Sequence, residues 1–516
     1  MDAEMELEAY SELTPIQKFF FGRSVFITGA TGLVGKVLVE KLLRCCPGIG
    51  NLYLLVRPKK GKTAEERIDE LFNVELFSVL KKVFPKFQTK VRLVDGDLEK
   101  DRLGISDEDF EEIRANVSVA FHSAARVQFK DPLKLAVQSN MIATKMLVDL
   151  CHQLPHMAAA VHVSTSYIRR EPDGYVLERV PVCKVPPKKI LDAMEWMDED
   201  CINALTDYLL EGKFTTYLVT KALAEKIVEE DRGDLPTAIV RPCNVSPTYK
   251  DPFPGWVDSI QGLSGLLLAG AKGVLRTLPT VKGLKINVVP VDLVANTLIA
   301  SAWHVATERP PYVYVVNCVL DYHKLPVADE DILDVALKKR DEYPLVSIYR
   351  YPDFKMYYSY LPYKIHSIID EWIPAIILDF FLYIFTGKVI LTKVYRKVGF
   401  LYGIFYKLGR VPWICKRENY LTVEKRLTGK DTEIFFLNLD DLNWIEYIDN
   451  CLKQGRKFIA HEDPSNIPYA KKKAKVWWLV TTTLKWCLIL YFFYYLFCQF
   501  FLNNSYVKER MYTISP

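Results

Sequence analysis

The sequence predicts an α/β chain: a doubly wound parallel sheet, then a mainly helical region, then a C-terminal transmembrane helix. Three observations carry that expectation. A glycine-rich turn joins a short strand to a helix within residues 24–45, short β-branched runs alternate with helical spacing as far as residue 241, and an almost unbroken apolar run occupies residues 476–502.

The chain of 516 residues suggests two or three domains at roughly 150 residues each. Apolar residues make up 50% and charged residues 25% of it, the balance of a globular protein with a core. That excludes dominant disorder and the collagen-like, coiled-coil and small disulfide-scaffold classes. A net charge of +4 is too small over this length to point to nucleic acid, and no basic stripe with interleaved aromatics precedes residue 450. The 11 cysteines are scattered and contain no C-x-x-C pair, which indicates neither a metal site nor a disulfide framework. A reducing compartment fits that usage.

Residues 24–28 (SVFIT) form the first strand, and Gly29-Ala30-Thr31-Gly32-Leu33-Val34-Gly35 follows. Val34, Val37, Leu38 and Leu42 then fall at helical spacing. Strand, glycine turn and helix are the context of a dinucleotide fingerprint. The first glycine permits the tight turn, the second admits the pyrophosphate to the backbone, and the third lets helix pack on strand. Cofactor contacts are expected at Thr28, Gly29, Thr31, Gly32, Leu33 and Gly35.

Further strands are expected at 51–56, 91–94, 117–122, 158–165 and 237–241, with a capping box at Thr63–Glu66 opening a helix. The second strand ends in Arg57-Pro58-Lys59-Lys60, with no carboxylate before Glu65. An NAD site commonly places an acid there, whereas a guanidinium stacks on adenine and pairs with phosphate, so NADPH is expected. Asp97 is placed to bond the adenine edge, and Ala124 lies at the end of the fourth strand.

Tyr217 and Lys221 lie one helical turn apart. A phenol with pKa near 10 exchanges protons poorly at neutral pH unless a nearby cation stabilises its phenolate. The same lysine can hold the nicotinamide ribose. Thr165, between Ser164 and Ser166, can orient a carbonyl. Tyr351/Lys355, Tyr360/Lys364 and Tyr469/Lys473 share the spacing, but only Tyr217 follows the glycine turn and both the HSAA and VSTS strand ends.

At these residues the chain resembles the extended short-chain dehydrogenase/reductases, and within them the alcohol-forming fatty acyl-CoA reductases. The likeness rests on residues 28–35 (TGATGLVG), 122–125, 162–165 and 216–225 (TYLVTKALAE), then on 254–258 (PGWVD), Gly262/Gly265/Gly270 and 289–292 (VPVD). Asp440, Trp444, Tyr447 and residues 455–457 extend it to the second half. EGKFTT before Tyr217, RPCNVSP after the sixth strand, Ser259 and Leu263 depart from the commoner pattern on the substrate side. The resemblance implies a Rossmann-type sheet and an NADPH-dependent, two-step reduction of long-chain acyl-CoA to a fatty alcohol, a wax or ether-lipid precursor, with release of CoA. Tyr217, Lys221 and Thr165 would be catalytic. Asn140 would join the proton relay or be a helix-surface amide. Two alternatives stay open: an oxidoreductase or epimerase of the same fold acting on sterols or sugar nucleotides, and a non-enzymatic lipid-binding protein.

The expected domains are 1–345 for the reductase, 346–465 for a helical region and 476–502 for the anchor. Residues 372–385 are too short to span a bilayer, and a core helix is favoured over a membrane-facing one. Residues 461–475 read as a linker. As a helix rising about 1.5 Å per residue, 476–502 is roughly 40 Å long and can cross a bilayer. Trp477 and Trp478 mark one interface, and Lys471, Lys472, Lys473 and Lys475 place the preceding body in the cytosol. Lys485 is costly within a span, so a hairpin or surface helix is the alternative. The acidic amino terminus does not resemble a secretory signal. The expected partners are therefore acyl-CoA and a lipid bilayer, at the endoplasmic reticulum or peroxisome. Oligomeric state is open.

Overall fold

The computed structural model describes residues 10–512 apart from 60, 211–214, 286, 324–328 and 410–412. Lys60 and most of the EGKFTT departure thus lie outside the described residues. Short apolar runs build the central sheet: β1 Ser24–Thr28, β2 Leu52–Val56, β3 Val91–Asp95, β4 Val117–His122, β5 Ala159–Val163, β6 Thr237–Pro242 and β7 Tyr314–Cys318. They pair in parallel in the order β7-β6-β5-β4-β1-β2-β3. The order reverses between β1 and β4, and a crevice opens at such a switch point beyond the carboxyl ends of the strands. β5 is shorter than its apolar run, so Thr165 lies two residues past its end. β7 was not anticipated, although all five of its residues are buried.

Both sheet faces are covered, as a parallel sheet requires. The covering helices include α1 Leu33–Cys45, α2 Ala143–Gln153, α3 Thr216–Asp231 and α5 Val291–Glu308, while α4 Gly262–Ala271 packs outside the sheet, against residues 444–458. Val25 and Ile27 of β1 join Val37, Leu38 and Val294 in one core, beneath α1 and α5. Phe26 points the other way, to Tyr53, Ala120 and Leu147. The expected capping box forms at Thr63 and Glu66.

Several sequence motifs prove to be ties between elements. Asp292, fully buried at the start of α5, accepts from the amides of Tyr249, Lys250 and Asp251. Lys41 of α1 pairs with Asp251, and Lys36 with Asp258 of the PGWVD stretch. Arg241 of β6 forms a bidentate pair with Glu225 of α3, with Nε donating to Oε1 at 2.8 Å. Its remaining donors reach the carbonyls of Leu177 and Arg179 at 2.8 and 2.7 Å.

The later chain is mainly helical, with α6 Ile373–Thr386, α7 Leu391–Gly409, α8 Trp444–Phe458 and α9 Ile467–Tyr512. It is tied to the sheet region by strand pairs and side-chain bonds. Ile414–Cys415 pairs with Tyr175–Val176 of the insertion, and Lys355–Tyr357 pairs with Thr277–Pro279. The Tyr447 hydroxyl meets Ser246 Oγ at 2.6 Å and the Pro247 carbonyl at 2.7 Å.

Two expectations are corrected here. Residues 372–385 are not a core helix: α6 buries only Ala375 and Asp379 of its 14 residues. Residues 461–475 are not a loose linker, because α9 begins at Ile467 and runs unbroken through 475, with Ala470 and Ala474 buried against the body. Glu462 is held by Arg456 and by the amides of Val346 and Ser347. The segment Pro464–Phe500 is long and apolar enough to cross a membrane.

Breaking the Arg241–Glu225 pair from one side should cost about 3–5 kcal/mol, because a charge is left buried and alone. Arg241→Leu is therefore expected to lower the denaturation midpoint further than Arg241→Leu combined with Glu225→Leu, as urea titrations of the three proteins would show.

Candidate active site

The glycine turn sits at the carboxyl end of β1, directly beside the end of β4. Gly29 has φ of +76°, a conformation that suits a residue without Cβ. A Cβ there would lie 2.6 Å from the Ala124 amide nitrogen. At Gly35 a Cβ would collide with the Gly29 carbonyl, so α1 can lie this close only without one. Gly32 is the N-cap of α1 and supplies no side-chain cap. The first-turn amides consequently face outward beside an exposed glycine, a fitting cradle for a pyrophosphate. Leu33 and Thr31 are partly exposed on the same turn.

Thr28 ends β1 with its side chain turned inward. It is fully buried, and its hydroxyl lies within a chain of bonds inside the protein. The Ala124 amide donates to Thr28 Oγ1 at 3.3 Å, and Thr28 donates to His122 Nδ1 at 2.7 Å. His122 Nε2 meets Thr144 Oγ1 at 3.2 Å, and Thr144 donates to the Asn140 carbonyl at 2.6 Å. Since Thr144 spends its proton on that carbonyl, the His122 ring carries its hydrogen on Nε2. Burial, and secondarily the Lys221 ammonium, push His122 down to about 3, so it stays neutral. Thr28 therefore holds β1 to β4.

At the end of β2, Arg57 lies 3.4 Å from Asp97 and 3.5 Å from Glu99. Asp97 Oδ1 also accepts from the Glu99 amide at 3.1 Å. A second guanidinium, Arg67, was missed in the sequence. It donates to the Arg57 carbonyl and, at 2.9 Å, to Thr31 Oγ1 in the glycine turn. Burial and the neighbouring Arg57 charge lower its pKa. Its position one turn into the capped helix was the available signal.

Tyr217 and Lys221 lie on α3, capped by Thr215, whose hydroxyl accepts from the Leu218 amide. Tyr217 is 9% exposed, and Phe129 packs on its ring with centroids 5.9 Å apart. Burial raises the phenol above its ordinary value and pulls Lys221 down to about 8. At neutral pH the resting pair is thus a protonated phenol and an ammonium. Lys221 Nζ donates to the Val163 carbonyl at 2.6 Å, at the end of β5. Two residues on, Thr165 Oγ1 accepts from the Tyr167 amide at 3.4 Å, which leaves its own proton to donate. Lys221 and Thr165 thus lie at the carboxyl end of β5, with Tyr217 one helical turn before Lys221 on α3, and the glycine turn and Ala124 lie at the adjacent ends of β1 and β4.

Asn140 is buried, so it is not a helix-surface amide. It lies in a π-helical turn, Gln138–Ile142, just before α2. Its Oδ1 accepts from the Arg126 amide at 2.9 Å, and its Nδ2 donates to Thr220 Oγ1 at 3.1 Å. It thereby ties the loop after β4 to the helix of Tyr217.

The strand order, the glycine cradle and the buried Tyr–Lys pair define a nicotinamide-dependent oxidoreductase of the extended short-chain dehydrogenase/reductase type. Residues 27–298 match the NAD-binding family model described as male sterility protein, and residues 370–462 match the companion Sterile model of the same description. The chain is 35% identical over 464 residues to rat fatty acyl-CoA reductase 1, covering 89% of each. It is 34% identical over 466 residues to the human protein of that name, again covering 89% of each. Bovine fatty acyl-CoA reductase 2 is 33% identical, with 90% of each covered. The chain belongs to the fatty acyl-CoA reductase family. Among solved structures it is similar in fold to the terminal R domain of the myxalamid PKS-NRPS pathway, with TM-score 0.54, 19% identity and coverage of 89% and 98%. A reductase domain of a Mycobacterium tuberculosis non-ribosomal peptide synthetase gives TM-score 0.56, 14% identity and coverage of 89% and 96%.

Gly29→Ala is expected to abolish nicotinamide binding, since the new methyl would strike the Ala124 backbone. Loss of cofactor fluorescence enhancement, with the helical circular dichroism of the chain retained, would check it.

Proposed function

We propose that this protein reduces long-chain acyl-CoA to the primary alcohol in two NADPH-dependent steps, with its body on the cytosolic side of the membrane that α9 crosses. The observation that carries the chemistry is the protonated phenol of Tyr217 held one helical turn before the Lys221 ammonium. A reduction needs an acid at the carbonyl oxygen, and burial keeps the phenol in that form.

The cofactor supplies hydride when bound. The chain's own groups do the rest. Thr165 and Tyr217 hydrogen-bond the thioester carbonyl oxygen, and Tyr217 gives it a proton as the carbonyl carbon gains its new C–H bond. Lys221 stabilises the phenolate left behind. As the hemithioacetal collapses, Tyr217 takes the hydroxyl proton back, the C–S bond breaks, and CoA leaves as a thiolate that is protonated by solvent. The aldehyde then stands before a recharged Tyr217, which donates again in the second reduction. Each alcohol consumes two hydrides and two protons and releases one CoA. Asn140 positions α3 through Thr220 and holds the loop of Ala124.

NADPH is favoured over NADH by the paired guanidinium groups of Arg57 and Arg67. Arg67 bridges the Arg57 carbonyl and the Thr31 hydroxyl of the glycine turn, and Arg57 rests on Asp97 and Glu99, so both guanidinium groups stand at the end of β2, where a phosphate could be met by charge-assisted bonds. The 2′-phosphate is the group that distinguishes the two cofactors there. Gly29, Thr31, Gly32, Leu33 and Gly35 would line the pyrophosphate, with Asp97 and Ala124 bordering the adenosine. The lysines at 471–475, at the base of α9, support the cytosolic orientation.

Membranes carrying the protein are expected to oxidise two NADPH per alcohol formed from hexadecanoyl-CoA or octadecanoyl-CoA, identified by mass. Tyr217→Phe should abolish both products. Alcohol formation without CoA release, or no thioester turnover by folded protein that binds NADPH, would overturn this reading. Arg67→Leu should raise the KM for NADPH about tenfold and leave that for NADH unchanged, as loss of one charge-assisted phosphate bond implies. Because the Lys221 ammonium is lost as pH rises through about 8, kcat/KM should fall above about pH 8. Stability should move oppositely. The unfolded chain holds that proton up to about pH 10.4, so the cofactor-free protein gains stability between about 8 and 10.4, a gain that Lys221→Met removes. Thermal melts across that window would measure it.

A further inference from the structure

We propose that the apolar helices of residues 360–386 form a second membrane-contact surface, seating the catalytic body on the bilayer that α9 crosses. The inference rests on reading α9 as a span.

The surface is large, and along α6 it exposes no charge. Along α6, Ile373, Ile376, Ile377, Phe380 and Phe381 are exposed, and Phe385 is 81% exposed. The preceding turns add Leu361, Ile365, Ile368 and Ile369. Asp379 is the one charged residue from 373 to 387, and it is buried. Contiguous apolar area on this scale marks a partner or a membrane.

The backbone at the end of α6 is prepared for a medium without water. The first amides of α7 would be unsatisfied at a helix start. Asp379 takes them: Ile390 and Leu391 donate to Oδ1 at 3.0 and 2.9 Å, and Thr392 donates to Oδ2 through its amide at 2.8 Å and its hydroxyl at 2.7 Å. Hydrocarbon penalises unpaired backbone groups by several kcal/mol each, so internal satisfaction is the requirement there. Beyond the turn, Lys388, Lys393, Arg396 and Lys397 are exposed, as suits anionic headgroups.

Continuity with α9 favours a bilayer over a protein partner. Lys473, at the base of α9, donates to the Val346 carbonyl at 2.8 Å, and Ala474 packs against Leu345 and Ile348. Four residues along the same segment, Arg350 donates to the Asp370 carbonyl at 2.6 Å and to the Tyr395 hydroxyl at 2.7 Å. Four residues reach at most about 14 Å, so the apolar helices and the base of the span share one short support. At 14 residues, α6 is only about 21 Å long and cannot cross a bilayer. It would lie within the interface.

The test uses the full chain in vesicles of phosphatidylcholine and phosphatidylserine, with a photoreactive benzophenone amino acid replacing Phe381, Tyr494 or Trp196 in turn. Trp196 is 75% exposed on the insertion between β5 and α3. After irradiation, lipid adducts read by mass are expected at Phe381 and Tyr494 and not at Trp196. Adducts at Tyr494 but none at Phe381 would overturn this inference and leave the span intact. Cross-linking of Phe381 to a second copy of the chain, or equal adducts at Trp196, would also overturn it. No adduct at Tyr494 would overturn the span reading and this inference with it. As a second measurement, Phe380→Glu with Phe381→Glu should raise the KM for vesicle-borne hexadecanoyl-CoA about tenfold and leave that for water-soluble octanoyl-CoA unchanged. Equal effects on both substrates would count against a membrane seat.

Discussion

A buried ion pair, Arg241 to Glu225, sets where the reactive helix lies. Both groups are almost wholly out of water, and burial of two charges is tolerable only when every donor and lone pair is matched. The guanidinium meets that demand by reaching the carbonyls of Leu177 and Arg179 as well. This fixes the roll of α3 about its axis, because Glu225, Lys221 and Tyr217 follow at intervals of four residues on one stripe. The same loop carries Glu178, whose carboxylate takes the amides of Asn317, Asn419 and Tyr420. One interaction in the core thus links the sheet, the helix of the Tyr–Lys pair, the insertion and the later helical region.

Beside that helix two buried histidines carry no charge before ligands arrive. His122 and His162, side by side on β4 and β5 with ring centroids 5.2 Å apart, are both held neutral by burial. The Lys221 ammonium contributes to that, and neither imidazole adds a charge against it. Its bond to the Val163 carbonyl ties α3 to the strand that leads to Thr165.

Much of this was legible in the sequence. Six strands announced themselves as β-branched or apolar runs ending in turn signals, and the glycine spacing foretold the close approach of α1 to β1. β7 did not, because its run follows directly on Pro310 and Pro311, which read as loop, although α5 leads into it. Residues 372–385 misled because a core helix and a membrane-seated helix have the same composition, and only the absence of packing partners separates them. Residues 461–475 misled through their prolines and lysines, although Ala470 and Ala474, four apart, carried the trace of a packed helix. Arg67 and Asn140 act through space, on Thr31 and Thr220, and spacing along the chain does not encode such contacts. The roll of α3 likewise depends on Arg241, a residue that follows the helix by a whole strand.

The unbroken course of α9, from its buried base at Ala470 and Ala474 into its apolar length, makes the anchor a shaft and not a leash. A leash would transmit only distance. A shaft transmits rotation: each residue added between base and bilayer turns the body by about 100° and moves it by about 1.5 Å along the axis. With α9 across a bilayer, as proposed, the face turned to lipid would be encoded as a helical phase, and one inserted or deleted residue in that stretch would point a different side of the molecule at the membrane without a change to any residue near the Tyr–Lys pair.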